Sequence, residues 1–240
     1  MRSGPWVSNC SADQGDNPTL LQAKLSDTAI CYYASLQHAF AQGPPPQLPH
    51  VVEILFTAYL RRAHVYTLGN GACAALAAHM ACDLGKAVTA GSRPAGNPAS
   101  SRLRVTSLVD NASVVTATAN DFLYEDVFVE QLRHLLSDDD VVIAISASGA
   151  SPNVLRAVDL ARSCGATTVG FTGGGSSATA LTSRCDVAIR SPAVQMEQIE
   201  DMHVTFHHIV TLMLRQRISE HLALAGSPPV PRSCHDRAGG

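Results

Sequence analysis

The chain has 240 residues, 46% of them hydrophobic and 15% charged, with 17 basic against 20 acidic side chains and 10 histidines. That apolar fraction excludes an intrinsically disordered chain, and 25.3 kDa is enough for one elaborated α/β domain or two small ones. The near balance of charge and the 5% aromatic content exclude a global attraction to nucleic acid or anionic lipid and a base-stacking surface.

Residues 1–16 are polar and read as a loose leader, without the apolar core of a signal peptide. No run of about 18 apolar residues follows, so the expectation is a cytoplasmic chain with no membrane partner and no nucleic-acid partner. The 7 cysteines are odd in number and lack a CxxC spacing, which indicates neither a disulfide framework nor a zinc ribbon. Asn17-Pro18 pairs a capping side chain with a first-turn proline, and Leu20, Leu21, Leu25, Ile30, Tyr33, Leu36 and Phe40 keep helical spacing from Thr19 to Gln42. The break at Gly43-Pro44-Pro45-Pro46 precedes a second helix over His50 to Arg62. These helices form an N-terminal elaboration over 17–62, ahead of a main domain over 63–225 and a Pro/Gly-rich tail, expected to be disordered, over 226–240.

From residue 63 strand and helix patterns alternate. Strands are expected at 64–68, 103–108, 141–145, 167–171 and 187–189, and helices at 72–84, 125–136, 152–163 and 177–183, with a long helix from Gln195 to Leu224. This alternation predicts a doubly wound parallel sheet, whose run Val141-Val142-Ile143-Ala144-Ile145 is apolar throughout, as in a strand covered on both faces.

The turns after two of these strands hold the candidate chemistry. Ser146, Ser148 and Ser151 crowd a strand-to-helix turn that ends at Pro152. Their hydroxyls and the free N–H groups of the helix start suit a phosphate, and open α/β sheets bind ligands at this edge. The bland alternative is a set of helix caps, less fitting for three serines than for one. Gly69-Asn70-Gly71 forms a second such turn, weak as a motif on its own, and neither GxGxxG nor a P-loop is present. Cys73 follows at a helix start, where a thiol pKa falls, yet no sequence partner supports a nucleophilic role. His79 and Asp83 share a helix face, and Glu200, His203, His207 and His208 lie on the last helix. Imidazoles and carboxylates suit a divalent metal or proton transfer, and periodicity alone does not choose among these histidines.

Four segments together carry a resemblance: GNGACAALAAHMACDL, NDFLYEDVF, VVIAISASGASPNVLRAVDLARSCGATTVGFTGGG and QIEDMHVTFHHIV. In this order, within about residues 50–215, they resemble the SIS (sugar isomerase) domain, more narrowly of the phosphoheptose isomerase (sedoheptulose 7-phosphate isomerase) type. The resemblance implies a flavodoxin-like three-layer α/β sandwich around a five-stranded parallel sheet, assembled as a homotetramer that takes a sugar phosphate. In such a tetramer the N-terminal helices and the last helix would bury faces against neighbours, in keeping with the low charge. The family's Gly-Asn-Gly-Gly-Ser becomes Gly69-Asn70-Gly71-Ala72-Cys73, and its phosphate loop becomes Ser146, Ala147, Ser148 and Ser151. Its substrate-contacting Asn-Asp pair is Asn120-Asp121. The family's metal residues fall on His79, Asp83, Glu200 and His208, implying a divalent metal, zinc by expectation. By the same resemblance Asp83 is the base and His208 the acid, and Asp83 and Glu200 also contact substrate. Two departures are an aspartate for the family's glutamate at Asp83 and a glutamate for its glutamine at Glu200. The first retracts a carboxylate by roughly 1.5 Å, a displacement that can lower rate about 10²-fold unless the backbone compensates.

The implied activity is the aldose–ketose isomerisation of sedoheptulose 7-phosphate to D-glycero-D-manno-heptose 7-phosphate. The alternatives are an SIS isomerase of another sugar phosphate and a non-catalytic SIS adaptor, of the kind that associates with the replication initiator DnaA.

Overall fold

Short apolar runs become strands because helices cover both of their faces. The computed structural model describes residues 18–86 and 102–224. The leader at 1–16, the capping Asn17 and the tail at 226–240 lie outside the described residues. The chain divides into two compact units, Met1–Ala41 and Gln42–Gly240. The first contains helix α1 (Pro18–Ala41), on which Leu25, Ile30, Tyr33 and Phe40 are exposed.

The second unit opens with α2 (Leu48–Arg61), closed by Arg62 in the left-handed region, whose N–H reaches the Ala58 and Tyr59 carbonyls. Then follow β1 (His64–Gly69), α3 (Ala72–Lys86), β2 (Arg104–Ser107) and α4 (Ala112–Asp121). A 3-10 turn (Tyr124–Asp126) and the one-turn α5 (Val129–Leu132) lead to β3 (Val141–Ser146) and α6 (Pro152–Ser163). After β4 (Thr167–Thr172) come a 3-10 turn (Ser176–Ala178), α7 (Thr179–Thr182), β5 (Val187–Arg190) and α8 (Met196–Leu224). Among the described residues the sheet has five parallel strands in the order β2-β1-β3-β4-β5. This is the flavodoxin-like doubly wound order, which places a switch point between β1 and β3.

Every residue of β3 is buried, as a central parallel strand requires. On one face Val154, Ala157, Val158 and Ala161 of α6 pack with Leu132, Phe128, Leu68 and Val142. On the other, α3 lies against β1 and β2 and also meets α8, which packs on α2. That meeting of α3 and α8 brings their polar side chains together.

The strands, α3, α6 and α8 match the expected elements to within a few residues. Two stretches differ. The helix expected over 125–136 is a 3-10 turn and a four-residue helix, because Val127, Phe128 and Val129 are drawn into the core in succession. The unanticipated α4 is rich in β-branched residues of low helix propensity. Its start is fixed by the Asn111 side chain, which accepts the Val114 N–H at 3.2 Å.

Candidate active site

At the carboxyl end of β1 the chain must turn sharply past its own next helix. A Cβ on Gly69 would stand 2.7 Å from the Cys73 carbonyl oxygen, and Gly71 adopts φ +57°. Between them Asn70 is held by a reciprocal amide pair. Its Nδ2 donates to Asn153 Oδ1 at 2.8 Å, and Asn153 Nδ2 donates to Asn70 Oδ1 at 2.9 Å. The Tyr124 hydroxyl donates to the same Asn70 oxygen at 3.0 Å. Asn153 is buried and also accepts the Val154 N–H, so the α6 start and the β1 turn are locked to each other across the switch point.

The serine turn after β3 is built around Ser146 Oγ. It lies 3.1 Å from Ser151 Oγ and 3.5 Å from Ser148 Oγ, and it accepts the Gly149 N–H at 3.1 Å. Gly149 has φ +66°, and a Cβ there would come within 2.5 Å of Ala178 Cα. Ser151 occupies the α6 N-cap position, yet its side chain makes no capping bond. Its hydroxyl is instead paired with Ser146, beside the positive end of the α6 dipole, a ready anion site. The cap reading for this serine is thereby set aside.

Cys73 joins the two turns. It is buried, and burial pushes its thiol up, outweighing the Ala147 N–H hydrogen bond that favours the thiolate, while the Glu200 carboxylate adds to the rise. The lowering expected at a helix start does not win here, so Cys73 stays a protonated wall of the site. A cavity of about 310 Å³ is lined by Cys73, Leu76, His79, Glu200, Asp201 and His203. Burial, then the charges of Glu197 and Asp201, raise the Glu200 carboxyl above its ordinary value.

Across α3 and α8, His79, Asp83, His207 and His208 each present one donor atom, all within 4.8 Å of one another. Asp83 Oδ2 lies 3.3 Å from His79 Nε2, 3.4 Å from His207 Nε2 and 4.0 Å from His208 Nε2. Of the four expected metal residues the structure brings His79, Asp83 and His208 into this group and adds His207, while Glu200 lies along the cavity beside His79. The donor set fits a divalent cation. Zinc takes imidazole nitrogen and carboxylate oxygen at about 2.0–2.2 Å in a tetrahedron, whose edges are then roughly 3.3–3.6 Å.

The remaining expected residues are placed as follows. His203 is buried, with Nε2 3.1 Å from the Thr172 carbonyl, an acceptor that fixes the tautomer with the proton on that nitrogen. Burial holds its imidazole down at about 4 despite that bond. Asn120 donates to Asp121 at 2.8 Å at the exposed end of α4. Their link to the site runs along the chain to Tyr124. Asn153 and Tyr124 were not expected as site residues. Asn153 stands in the quoted serine motif, but only the fold shows that it faces Asn70.

The SIS domain family model matches residues 32–173. A phosphoheptose isomerase of Pelobacter propionicus is 34% identical over 178 residues, covering 73% of this chain and 88% of that protein. Another, of Aquifex aeolicus, is 30% identical over 187 residues, covering 78% and 93%. Among solved structures, the phosphoheptose isomerase of Francisella tularensis superposes with a TM-score of 0.70 at 24% identity, covering 79% of this chain and 97% of that one. The Neisseria gonorrhoeae enzyme superposes with a TM-score of 0.68 at 24% identity, covering 82% and 99%. These two likenesses confirm the fold. From the matched family model and the coverage of these relatives, the chain belongs to the SIS domain family and, within it, to the phosphoheptose isomerases.

Proposed function

We propose that the chain is an aldose–ketose isomerase that converts sedoheptulose 7-phosphate to D-glycero-D-manno-heptose 7-phosphate. The observation that supports this best is the joining of an anion cradle and an acid–base cluster at one switch point, through Cys73 and the Asn70–Asn153 pair. Ser146, Ser148 and Ser151, with the N–H groups of the α6 start, take the phosphate. Asn70, Gly71, Ala72, Cys73, Asn120, Asp121, Ala147 and Glu200 contact the sugar or the walls around it. Asp83 removes the proton from the hydroxymethyl carbon beside the ketone and returns it to the neighbouring carbon. His208 moves the matching proton between the two oxygens, through a cis-enediol. Carboxylate and imidazole suit these two transfers because both act near neutral pH.

His79, Asp83 and His208 hold a divalent cation, zinc in this reading, and such a cation polarises the carbonyl when bound. The assembly is a homotetramer. Among the described residues no helix is long and apolar enough to cross a membrane.

Incubation with sedoheptulose 7-phosphate and added zinc tests the reaction, with formation of the aldose 7-phosphate as the expected result. No product at high enzyme concentration overturns it and favours an adaptor. Replacement of His208 with alanine is expected to lower kcat at least about 10³-fold with the secondary structure intact by circular dichroism. Full activity in His208→Ala would remove His208 from the reaction.

A further inference from the structure

Two adjacent imidazoles of α8 reach the same carboxylate, and the family pattern accounts for only one of them. His207 is fully buried, and neither ring nitrogen makes a hydrogen bond. Leaving a buried polar group unsatisfied costs about 1–3 kcal/mol, and His207 is the residue among the described ones with both polar side-chain atoms in that state. Its Nε2 lies 3.4 Å from Asp83 Oδ2, an ion-pair distance longer than that of a good hydrogen bond. That separation is close to the edge of a zinc tetrahedron. The His207 ring lies 4.7 Å from that of His79 and 4.8 Å from that of His208, centroid to centroid.

Glu200 is set differently. Its carboxyl lies within reach of Cys73 and along the cavity, outside the group of converging donors.

We propose that His207, in place of Glu200, completes a metal centre of three histidines and one aspartate, leaving the Glu200 carboxyl free to face the sugar. The proposal rests on the reading of this cluster as the isomerase metal site, and its test needs no turnover. Zinc content and affinity are measured on the full-length protein by chelator competition, with cobalt(II) substitution as a spectroscopic check of tetrahedral coordination. Wild type is expected to hold one zinc per chain. His207→Ala and the volume-filling His207→Phe are expected to bind at least about 100-fold more weakly and to lose the tetrahedral cobalt bands, because losing a ligand exceeds the 10–100-fold effect of an outer partner. Glu200→Ala, which removes any oxygen donor at this position, is expected to bind within about twofold of wild type.

Zinc affinity unchanged in both His207 variants overturns the proposal. So does a loss of 10-fold or more in Glu200→Ala, or absence of zinc binding by wild type. If His207→Ala does not fold, His207→Phe and Glu200→Ala still decide the matter. A protein that binds zinc as described yet does not turn over sedoheptulose 7-phosphate retains this metal centre and loses only the substrate assignment.

Discussion

Single atoms decide how the phosphate is gripped. Ser146 Oγ is engaged with Ser151 and the Gly149 N–H, whereas Ser148 Oγ is shared with the Ala150 N–H at 3.3 Å and is more readily redirected to a ligand. A hydrogen bond to a charged group contributes about 1.5–3 kcal/mol, so Ser148→Ala is expected to weaken inorganic phosphate binding and raise KM about 10–100-fold, with a smaller change in kcat. Isothermal titration and steady-state kinetics check this. His203 gives a pH effect of definite sign. Its folded-state pKa is about 4 and its unfolded value near 6.5, so the fold favours the neutral ring. Its contribution is complete above about pH 6.5 and is lost as pH falls toward 4, by roughly 3 kcal/mol across the window. His207, also held down at about 4, by burial and by the neighbouring His79 and His208 against the pull of Asp83, adds in the same direction. Denaturant titrations of metal-free His203→Asn between pH 4 and 7 should therefore show about half the wild-type fall. An unchanged slope would show that the ring is not held neutral. The pairing of His207 with Asp83 was hidden in the sequence because neighbours on a helix point about 100° apart. Only the meeting of α3 with α8 lets both His207 and His208 reach one carboxylate.

At the scale of elements, the readable parts were those where one force acts alone. The apolar run of β3 and the Pro152 start of α6 follow from burial and from a fixed φ, and both stand where the sequence puts them. The failures are stretches where forces compete. In α4 the Asn111 cap overrides Val114, Val115 and Thr116, and at 127–129 core burial overrides helical period. The serine turn was legible as an anion site, but its coupling to β1 through Asn153 needed the parallel pairing of β1 with β3. The same turn yields a backbone prediction. At Gly149 an added Cβ meets Thr172 Oγ1 at 2.6 Å as well as Ala178 Cα, on a φ that disfavours side chains. Gly149→Ala is expected to lower stability by about 3 kcal/mol or more, read as a drop of at least several degrees in Tm. A Tm within about 1 °C of wild type would show that β4 and the following 3-10 turn yield at little expense.

At the scale of the whole molecule, the scarcity of charge finds an outlet in large apolar side chains left in contact with water. Leu25, Ile30, Tyr33 and Phe40 on α1 and Leu212 on α8 are exposed in the single chain. The proposed tetramer would cover such residues, and the double variant Ile30→Asp/Tyr33→Asp is expected to sediment as smaller species than wild type. A wild-type chain that sediments as a monomer at micromolar concentration would remove the tetramer. The two crowded glycine turns bear on how an enzyme of this architecture can change its diet. Gly149 and Gly173 have no room for a side chain, the latter because a Cβ would stand 2.7 Å from the Ala147 carbonyl oxygen. Mutation therefore has little purchase on the backbone that grips the phosphate. The opposite wall is made of side chains on helices, which exchange without disturbing strand pairing. Descendants of this chain that accept new sugars should keep the same anchor and differ on the faces of α3 and α8. A selection library confined to those faces would yield altered sugar preference far more often than one confined to the serine turn.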